Sequence, residues 1–530
     1  MDKKAIIGIA LCLLVLILYP FYINKIFPQK QQEEKASIAQ KAEPSYAEKA
    51  VPVEEIAAEI KSTPDYKEEE FFIQTDLYNI VLSNYGGTIK RLQLKKYKDK
   101  DDKEHDLALE RDIPVKPLAL TNVGPLGDLS KALFTGRIEG KKVVFEHVTE
   151  DKISIKKIFY FDENEYIFKV RIVFKNSSNS GLGINSYQMV YGTIFPIVKK
   201  TGISELGLTV LEQSGTVLRE KVKKIKEKTE TRGPCEWAGM QNQYYALIAK
   251  PETLIQDVVT VPLYGDNKKK VEGLSSSIRM EGFSLAPGGV HEEEFVFFMG
   301  PKEYSLMKKA PYKFGKILYF GWFGFISEWI LIGLNFFYKL FHNYGIAIIV
   351  ITLIIKLVMY PLTAKSMKSM KQMQAIQPLV NEIRANNKDN PKKMQKEMMM
   401  VYKEYKVNPM SGCLPMLAQL PIFIALFTTL RGAIELKGAS FLWIHDLSVP
   451  DTVFSIGAIP VNILPLIMGV TMVWQQKLTP VADPNQAKMM MLMPVVFTFL
   501  FYNFPSGLVL YWLVNNILSI WQQYKITKSA

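Results

Sequence analysis

Cysteine and histidine are scarce in this 530-residue chain, with three of the first and five of the second. Cys12, Cys235 and Cys413 lie far apart, in three different kinds of segment, so no disulfide framework can be drawn from them. His105, His147, His291, His342 and His445 show no helical ligand spacing, which argues against a metal site. No cofactor is expected, and no paired carboxylates or His–acid pair of a hydrolase stands out. The net charge of +13 comes without a basic helix or an aromatic-studded sheet, so nucleic acid is not the expected partner. A membrane protein with basic cytoplasmic loops has the same charge balance. No repeat links the apolar runs, whereas solute transporters often show one.

What the chain does contain is unevenly spread. Polar material lies mostly before residue 310 and apolar runs cluster after it. The run Asn343–Thr363, NYGIAIIVITLIIKLVMYPLT, carries one charge, Lys356. It is long enough to cross a hydrocarbon layer, which takes about 20 residues. An ammonium at mid-depth costs roughly 2.5–3.5 kcal/mol, so it tends to face protein or trapped water. Lys356 stands roughly 10 Å inside the run at 1.5 Å per residue, and Thr352 lies on the same helical face. Two readings follow: a lysine snorkelling to the headgroups, or a charge lining a wet cavity open to one side.

The first 23 residues place Lys3 and Lys4 before a charge-free run from Ala5 to Ile23. That run is longer than a signal-peptide core and has bulky residues after it. It reads as an uncleaved anchor over 1–28 with its N-terminus inside; Leu11 before Cys12 speaks against a lipid anchor. Residues 29–70, rich in Lys, Glu, Gln, Ala and Pro, read as a solvated linker. Residues 71–310 read as a large β-sandwich. Asn84-Tyr85-Gly86-Gly87 is a turn between extended runs. Ile153, Ile155 and Ile158, then Tyr166, Phe168, Val170, Ile172 and Phe174, flank another turn at Asp162–Asn164, the second set in strict alternation. The aromatic-rich stretch 311–342, interrupted by Glu328, reads as an interfacial amphipathic helix region. Taken as a full span, it would reverse every later loop.

Loop charge decides that orientation. Residues 363–410 hold ten Lys/Arg against four acids, and positive loops stay inside. They read as a cytoplasmic helical hairpin over 364–410, with its tip at Asn386–Asp389 and a restart at Asn390-Pro391. Met367, Met370, Met373, Met394 and Met398 are its expected seam, or else a flexible thioether surface for apolar partners. Ser411–Leu430, with Gln419, and Gly457–Gln476, with Asn462, are two further uncharged runs. Met489–Tyr524 spans roughly 54 Å as a helix, too long for one crossing. Asn503-Phe504-Pro505-Ser506-Gly507 breaks it into a tight hairpin of two spans. The expected fold is a multi-pass α-helical membrane protein, an anchor plus five core helices, with a large extracytoplasmic β-sandwich.

These residues resemble the YidC-type membrane protein insertases, relatives of the mitochondrial Oxa and chloroplast Albino proteins. The resemblance rests on MYPLT at Met359–Thr363, VNPMSGCLPMLAQLPIFIALF at Val407–Phe427 and WIHDLS at Trp443–Ser448. PLIMGVTM at Pro465–Met472 and FPSGLVLYWLVNNILSIWQQ at Phe504–Gln523 complete it, with weaker echoes at Glu236–Pro251 and Phe298–Tyr304. It implies an insertase and chaperone of the cell inner membrane, not an enzyme, with both termini cytoplasmic and the β-domain periplasmic and mutarotase-like. It implies a hydrophilic groove open to cytoplasm and lipid, whose one positive charge, usually arginine, is Lys356 here. Lysine lacks the planar fork of arginine, so the attraction it offers is less geometrically specific. Thr352, Gln419, Tyr511 and Trp512 are the further groove residues implied, with inter-helix hydrogen bonding as the alternative for Thr352, Gln419 and Trp512, evenly weighed for Gln419 and less favoured for Trp512. The implied partners are nascent membrane proteins, the Sec translocon, the ribosome and signal recognition particle pathway, and membrane lipids. Nucleic acid enters only through ribosome contact.

Overall fold

The computed structural model of the protein describes residues 68–528, except 99–103, 108–112, 114, 198–201, 223–224, 226–228, 265–270, 388, 406, 408–413, 458 and 479–483. The anchor expected over 1–28 and all but the last three residues of the expected linker lie outside the described residues.

The β-domain opens with a four-stranded antiparallel sheet, Glu70–Gln74, Tyr78–Ser83, Thr88–Lys98 and Glu104–Asp106. The expected turn joins the second and third strands, with Ser83 opposite Thr88. Gly86 has φ 67°, and a Cβ there would lie 2.4 Å from the Ser130 carbonyl oxygen. Backbone conformation and space both require glycine at that position. A second sheet of 13 strands among the described residues runs from Leu120–Thr121 at one end of its main path to Thr135–Glu139 at the other. The two sheets share one core, in which Tyr78, Ile80 and Leu92 meet Phe145, Phe159, Phe168 and Phe297.

Alternation was a sound guide in Ile167–Asn176, which buries Phe168, Val170, Ile172 and Phe174. Its partner Ile153–Phe161 buries positions 153, 155, 157, 159 and 161. Ile158, grouped with Ile153 and Ile155 from the sequence, lies on the half-exposed face, and Lys157 takes the inner place. The reason is a set of acceptors that sequence does not show. Lys157 Nζ donates to the carbonyls of Gly86 at 2.6 Å, Leu118 at 2.8 Å and Gly87 at 3.4 Å. It also lies 5.5 Å from the centroid of the Phe134 ring. Burial pushes the amine down to about 7, while the three carbonyls favour the ammonium.

Nine α-helices follow among the described residues: α1 (Tyr304–Lys309), α2 (Gly324–Phe341), α3 (Tyr344–Ala375), α4 (Gln377–Asn386), α5 (Pro391–Glu404), α6 (Leu414–Gly432), α7 (Ile463–Leu478), α8 (Pro484–Phe501) and α9 (Ser506–Lys528). Helix α2 buries Ser327, Ile330, Leu331 and Leu334. Gly333 admits Ile351 of α3, whose Cδ1 would stand 2.6 Å from a Cβ there. The opposite stripe of α2, Phe325, Trp329, Ile332, Phe336 and Leu340, is exposed.

Helix α3 starts where Asn343 caps it by accepting from the Ile346 N–H at 3.1 Å. It does not stop at Thr363 but runs through Pro361 to Ala375, so the first arm of the expected hairpin continues the apolar helix. Thr363 Oγ1 donates to the Met359 and Tyr360 carbonyls beside the proline. The Lys, Met, Gln and Ala that follow are good helix formers. Beyond α4, Asn387 Nδ2 donates to Glu397 Oε2 at 2.7 Å and folds the turn back onto α5. Asn390 caps α5 by accepting from the Lys393 N–H at 3.1 Å, with Pro391 in the first turn, as expected. The five seam methionines are all half-buried, while Met399 and Met400 are exposed.

The uncharged run from Gly457 does not begin as helix. Its first residues complete a two-stranded hairpin, Thr452–Ile456 with Ile459–Asn462. Helix α7 begins at Ile463, where Asp451 Oδ2 accepts from the Leu464 N–H at 2.6 Å. The expected break at 503–507 is real: α8 ends at Phe501 and α9 starts at Ser506. Ile330, Ile348, Ile351, Leu426, Leu430, Met468, Phe501, Leu508 and Tyr511 form the helical core. By length and composition, α3 is the one described helix suited to crossing a membrane, and Leu417–Gly432 and Met491–Phe501 are shorter apolar segments. The count of six spans is therefore not carried by the structure.

The β-domain grips the loop after α6. Gln243 Nε2 donates to the Arg431 carbonyl at 2.8 Å, and Arg431 pairs with Glu205 at 3.3 Å. Lys437 Nζ donates to the Tyr245 hydroxyl at 3.1 Å, and Glu435 Oε1 accepts from the Tyr304 N–H at 2.9 Å.

Candidate functional site

Helices α3 and α9 pack side by side and run in the same direction. A Cβ on Gly507, at the start of α9, would meet Ile348 of α3 at 3.3 Å. Further along, Lys356 meets Ser519 and Thr363 meets Gln522. The contact is a polar seam. Thr352, Lys356, Thr363 and Ser366 recur at helical spacing on α3, as do Tyr511, Asn515, Ser519 and Gln522 on α9.

Lys356 is half-buried, and its Nζ donates to Ser519 Oγ at 2.6 Å. Ser519 donates its own proton to the Asn515 carbonyl at 2.7 Å, which leaves its oxygen to face the lysine as an acceptor. An ammonium carries three donors, and Ser519 takes one. Three residues before Lys356, Leu353 and Ile354 begin an exposed apolar face that continues through Leu357 and Val358. The lysine thus emerges between a polar seam and a greasy surface. Further along the seam, toward the end of the apolar run, Gln522 Nε2 donates to Thr363 Oγ1 at 2.7 Å, while Gln522 Oε1 is buried without a partner among the described residues.

The five residues singled out from the sequence do not form one cluster. Thr352 is buried, and its hydroxyl donates to the Ile348 carbonyl of its own helix at 2.6 Å. Gln419 of α6 donates to the hydroxyl of Tyr511, which is buried in α9, an inter-helix bond that fits the alternative weighed for Gln419. Trp512 is half-buried in an aromatic ring of Phe423, Phe497 and Phe501, with centroids 5.1, 5.7 and 5.1 Å away. Lys356 belongs to the seam. Ser519, Thr363 and Gln522 were missed, yet Asn515, Ser519 and Gln522 recur at i, i+4 and i+7 inside an uncharged run, a polar stripe legible from spacing alone.

Comparison with known proteins supplies the family. Residues 70–332 match the family described as the YidC periplasmic domain, and residues 336–530 match the family described as the 60Kd inner membrane protein. The protein named Membrane protein insertase YidC in Syntrophus aciditrophicus (strain SB) is 36% identical over 561 residues, covering 100% of both chains. The chain belongs to the YidC family of membrane protein insertases. The YidC insertase of Geobacter metallireducens is 35% identical over 566 residues, covering 100% of this chain and 99% of its own. A crystal structure described as an active YidC insertase with its first transmembrane domain resolved covers 87% of this chain and 93% of its own. It is 20% identical with a TM-score of 0.39, so the assignment rests on the sequence relatives. As a YidC insertase the protein belongs to the inner membrane, its β-domain is the periplasmic domain, and its work is insertion rather than a reaction that makes or breaks bonds.

Proposed function

We propose that this YidC insertase leads newly made membrane proteins into the bilayer through a hydrophilic groove walled by the α3–α9 seam, with Lys356 as its charge. The observation that carries the reading is the lysine itself, held by one serine among the described residues, so that two of its three N–H donors are left there for an incoming polar or acidic tail. Carrying polar groups across hydrocarbon unpaired costs several kcal/mol each, and a groove lowers that cost by lending them partners. Thr352 and the Gln419–Tyr511 pair form the polar back wall, and Trp512 offers its half-exposed ring to the apolar part of the client.

The topology belongs to the same proposal. The anchor at 1–28 and helices α3, α6, α7, α8 and α9 cross the membrane, α2 lies at the interface with its aromatic stripe outward, and both termini are cytoplasmic. The excess of ten bases over four acids in residues 363–410 supports a cytoplasmic hairpin. That hairpin, with Lys525 and Lys528 at the end of α9, is the surface offered to the ribosome, the signal recognition particle pathway and the Sec translocon.

The test uses the full chain in liposomes with a short single-span client bearing an acidic tail, read as protection of the tail from added protease. Wild type is expected to protect it and Lys356→Ala to lose most of that protection. Protection no better than that of empty liposomes would sink autonomous insertion. Deleting the β-domain is a blunter test, because Gln243, Tyr245 and Glu205 hold the loop after α6.

A further inference from the structure

The hairpin Thr452–Ile456/Ile459–Asn462 is firmly held at its base and bare at its tip. At the base, Thr452 Oγ1 donates to Asn462 Oδ1 at 2.7 Å, Asn462 Nδ2 to the Tyr502 carbonyl at 2.6 Å, and the Tyr502 hydroxyl to the Pro460 carbonyl at 2.6 Å. Toward the tip, Val453, Phe454 and Ile456 are 48, 51 and 68% exposed. No charged residue occurs from Thr452 to Gln476.

Its side of the molecule is set by neighbouring bonds. The loop before it packs on the start of α9, where Ser506 Oγ donates to the Asp446 carbonyl and the N–H groups of Ser506 and Gly507 to the Val449 and Leu447 carbonyls. The same loop leads back to residues 431–437, which the periplasmic domain grips. The hairpin therefore stands at the periplasmic ends of the helices. Beyond its base, α7 carries an exposed apolar face of its own at Leu466, Ile467, Val470 and Trp474.

Neither water nor hydrocarbon suits such an element. In water, an uncharged apolar hairpin with open strand edges is a template for aggregation. In the bilayer centre, its unpaired edge N–H and C=O groups would have no partners. The headgroup–acyl boundary meets both needs, with water and ester groups for the edges and the first acyl methylenes for Phe454 and Ile456. Trp443, part-exposed with its Nε1 aimed at Asp451 at 3.4 Å, has the amphipathic character favoured at that depth.

We infer that the hairpin tip is an interfacial wedge seated in phospholipid of the outer leaflet, fixing the depth of the periplasmic ends of α7 and α8. The inference rests on the proposal that α7 spans the membrane. In a full-length background with Cys12, Cys235 and Cys413 replaced by serine, nitroxide labels go on Ile456→Cys and, separately, Val453→Cys. Val470→Cys on the exposed face of α7 is the deep reference, and Val148→Cys on the β-domain is the aqueous one. Collision with oxygen is compared with collision with a water-soluble nickel chelate in liposomes of phosphatidylethanolamine and phosphatidylglycerol. Labels at 453 and 456 are expected to exceed the 148 label in oxygen preference by about threefold or more, yet to stay below the 470 label. Hairpin labels matching 148 while 470 is oxygen-rich would overturn the wedge and leave the span standing. A water-like 470 label would remove the span and the wedge together, and hairpin labels as deep as 470 would overturn the interfacial placement.

Discussion

Two lysines in apolar surroundings, Lys157 in the periplasmic domain and Lys356 in the helices, show how the same group becomes a clip or a handle. Lys157 is wholly buried and meets three carbonyl oxygens and the face of Phe134. All its donors are used, so nothing remains for a ligand. Lys356 is half-buried and, among the described residues, donates to one serine. Burial depth alone ranks Lys157 as the more unusual residue. Counting donors against acceptors ranks Lys356 as the one with chemistry to offer.

The largest effect should come from Lys157→Met, which strands three buried carbonyls. The β-domain is expected to lose roughly 3 kcal/mol or more in stability, measured by urea unfolding, with insertion per folded molecule unchanged. A loss under about 1 kcal/mol would break the clip reading. The same residue gives a pH dependence. Its folded value is pushed down to about 7 from 10.5, so between those limits the unfolded chain binds more protons. Stability should therefore rise as pH increases from about 7 toward 10.5, level off below 7, and lose this slope in Lys157→Met.

Lys356→Ala is expected to lower insertion of an acidic-tailed client about tenfold or more, as for a lost hydrogen bond to charge of about 1.5–3 kcal/mol, with little change in melting temperature. Lys356→Arg should keep the activity, since it keeps the charge and adds a fork. Ser519→Ala removes the partner that aims the lysine and should cost about threefold in the same assay, near the ~0.5–1.5 kcal/mol of one neutral bond. The smallest effect belongs to Gln419→Leu, about 0.6 kcal/mol of helix packing. A stability loss with unchanged insertion would assign Gln419 to packing, and lost insertion at unchanged stability would assign it to the groove.

Much of the fold was legible where one short stretch decides its own conformation. The glycine turn at 84–87, the alternation of 167–176, the Asn390-Pro391 restart and the break before Ser506 are of this kind. Errors arose where a distant partner overrode the local pattern. Lys157 joined an apolar face because Gly86, 71 positions away, offers its carbonyl. The run from Gly457 became a strand because Tyr502 and Asp451 fix the hairpin base and the helix start. Of the candidate site, Lys356 was visible as the single charge in a long apolar run, but its relation to the other four residues was not.

By itself the sequence determined the apolar and polar zones, the turns and caps, the basic hairpin and the family, all of which depend on order along the chain. Only tertiary structure decided that Lys356 faces Ser519, that Gln419 is joined to Tyr511, and that Thr352 turns back on its own helix. The physical reason is that a hydrogen bond is settled within about 3 Å. The two ends of the Lys356–Ser519 bond are 163 residues apart, and only the packing of α3 on α9 brings them within reach.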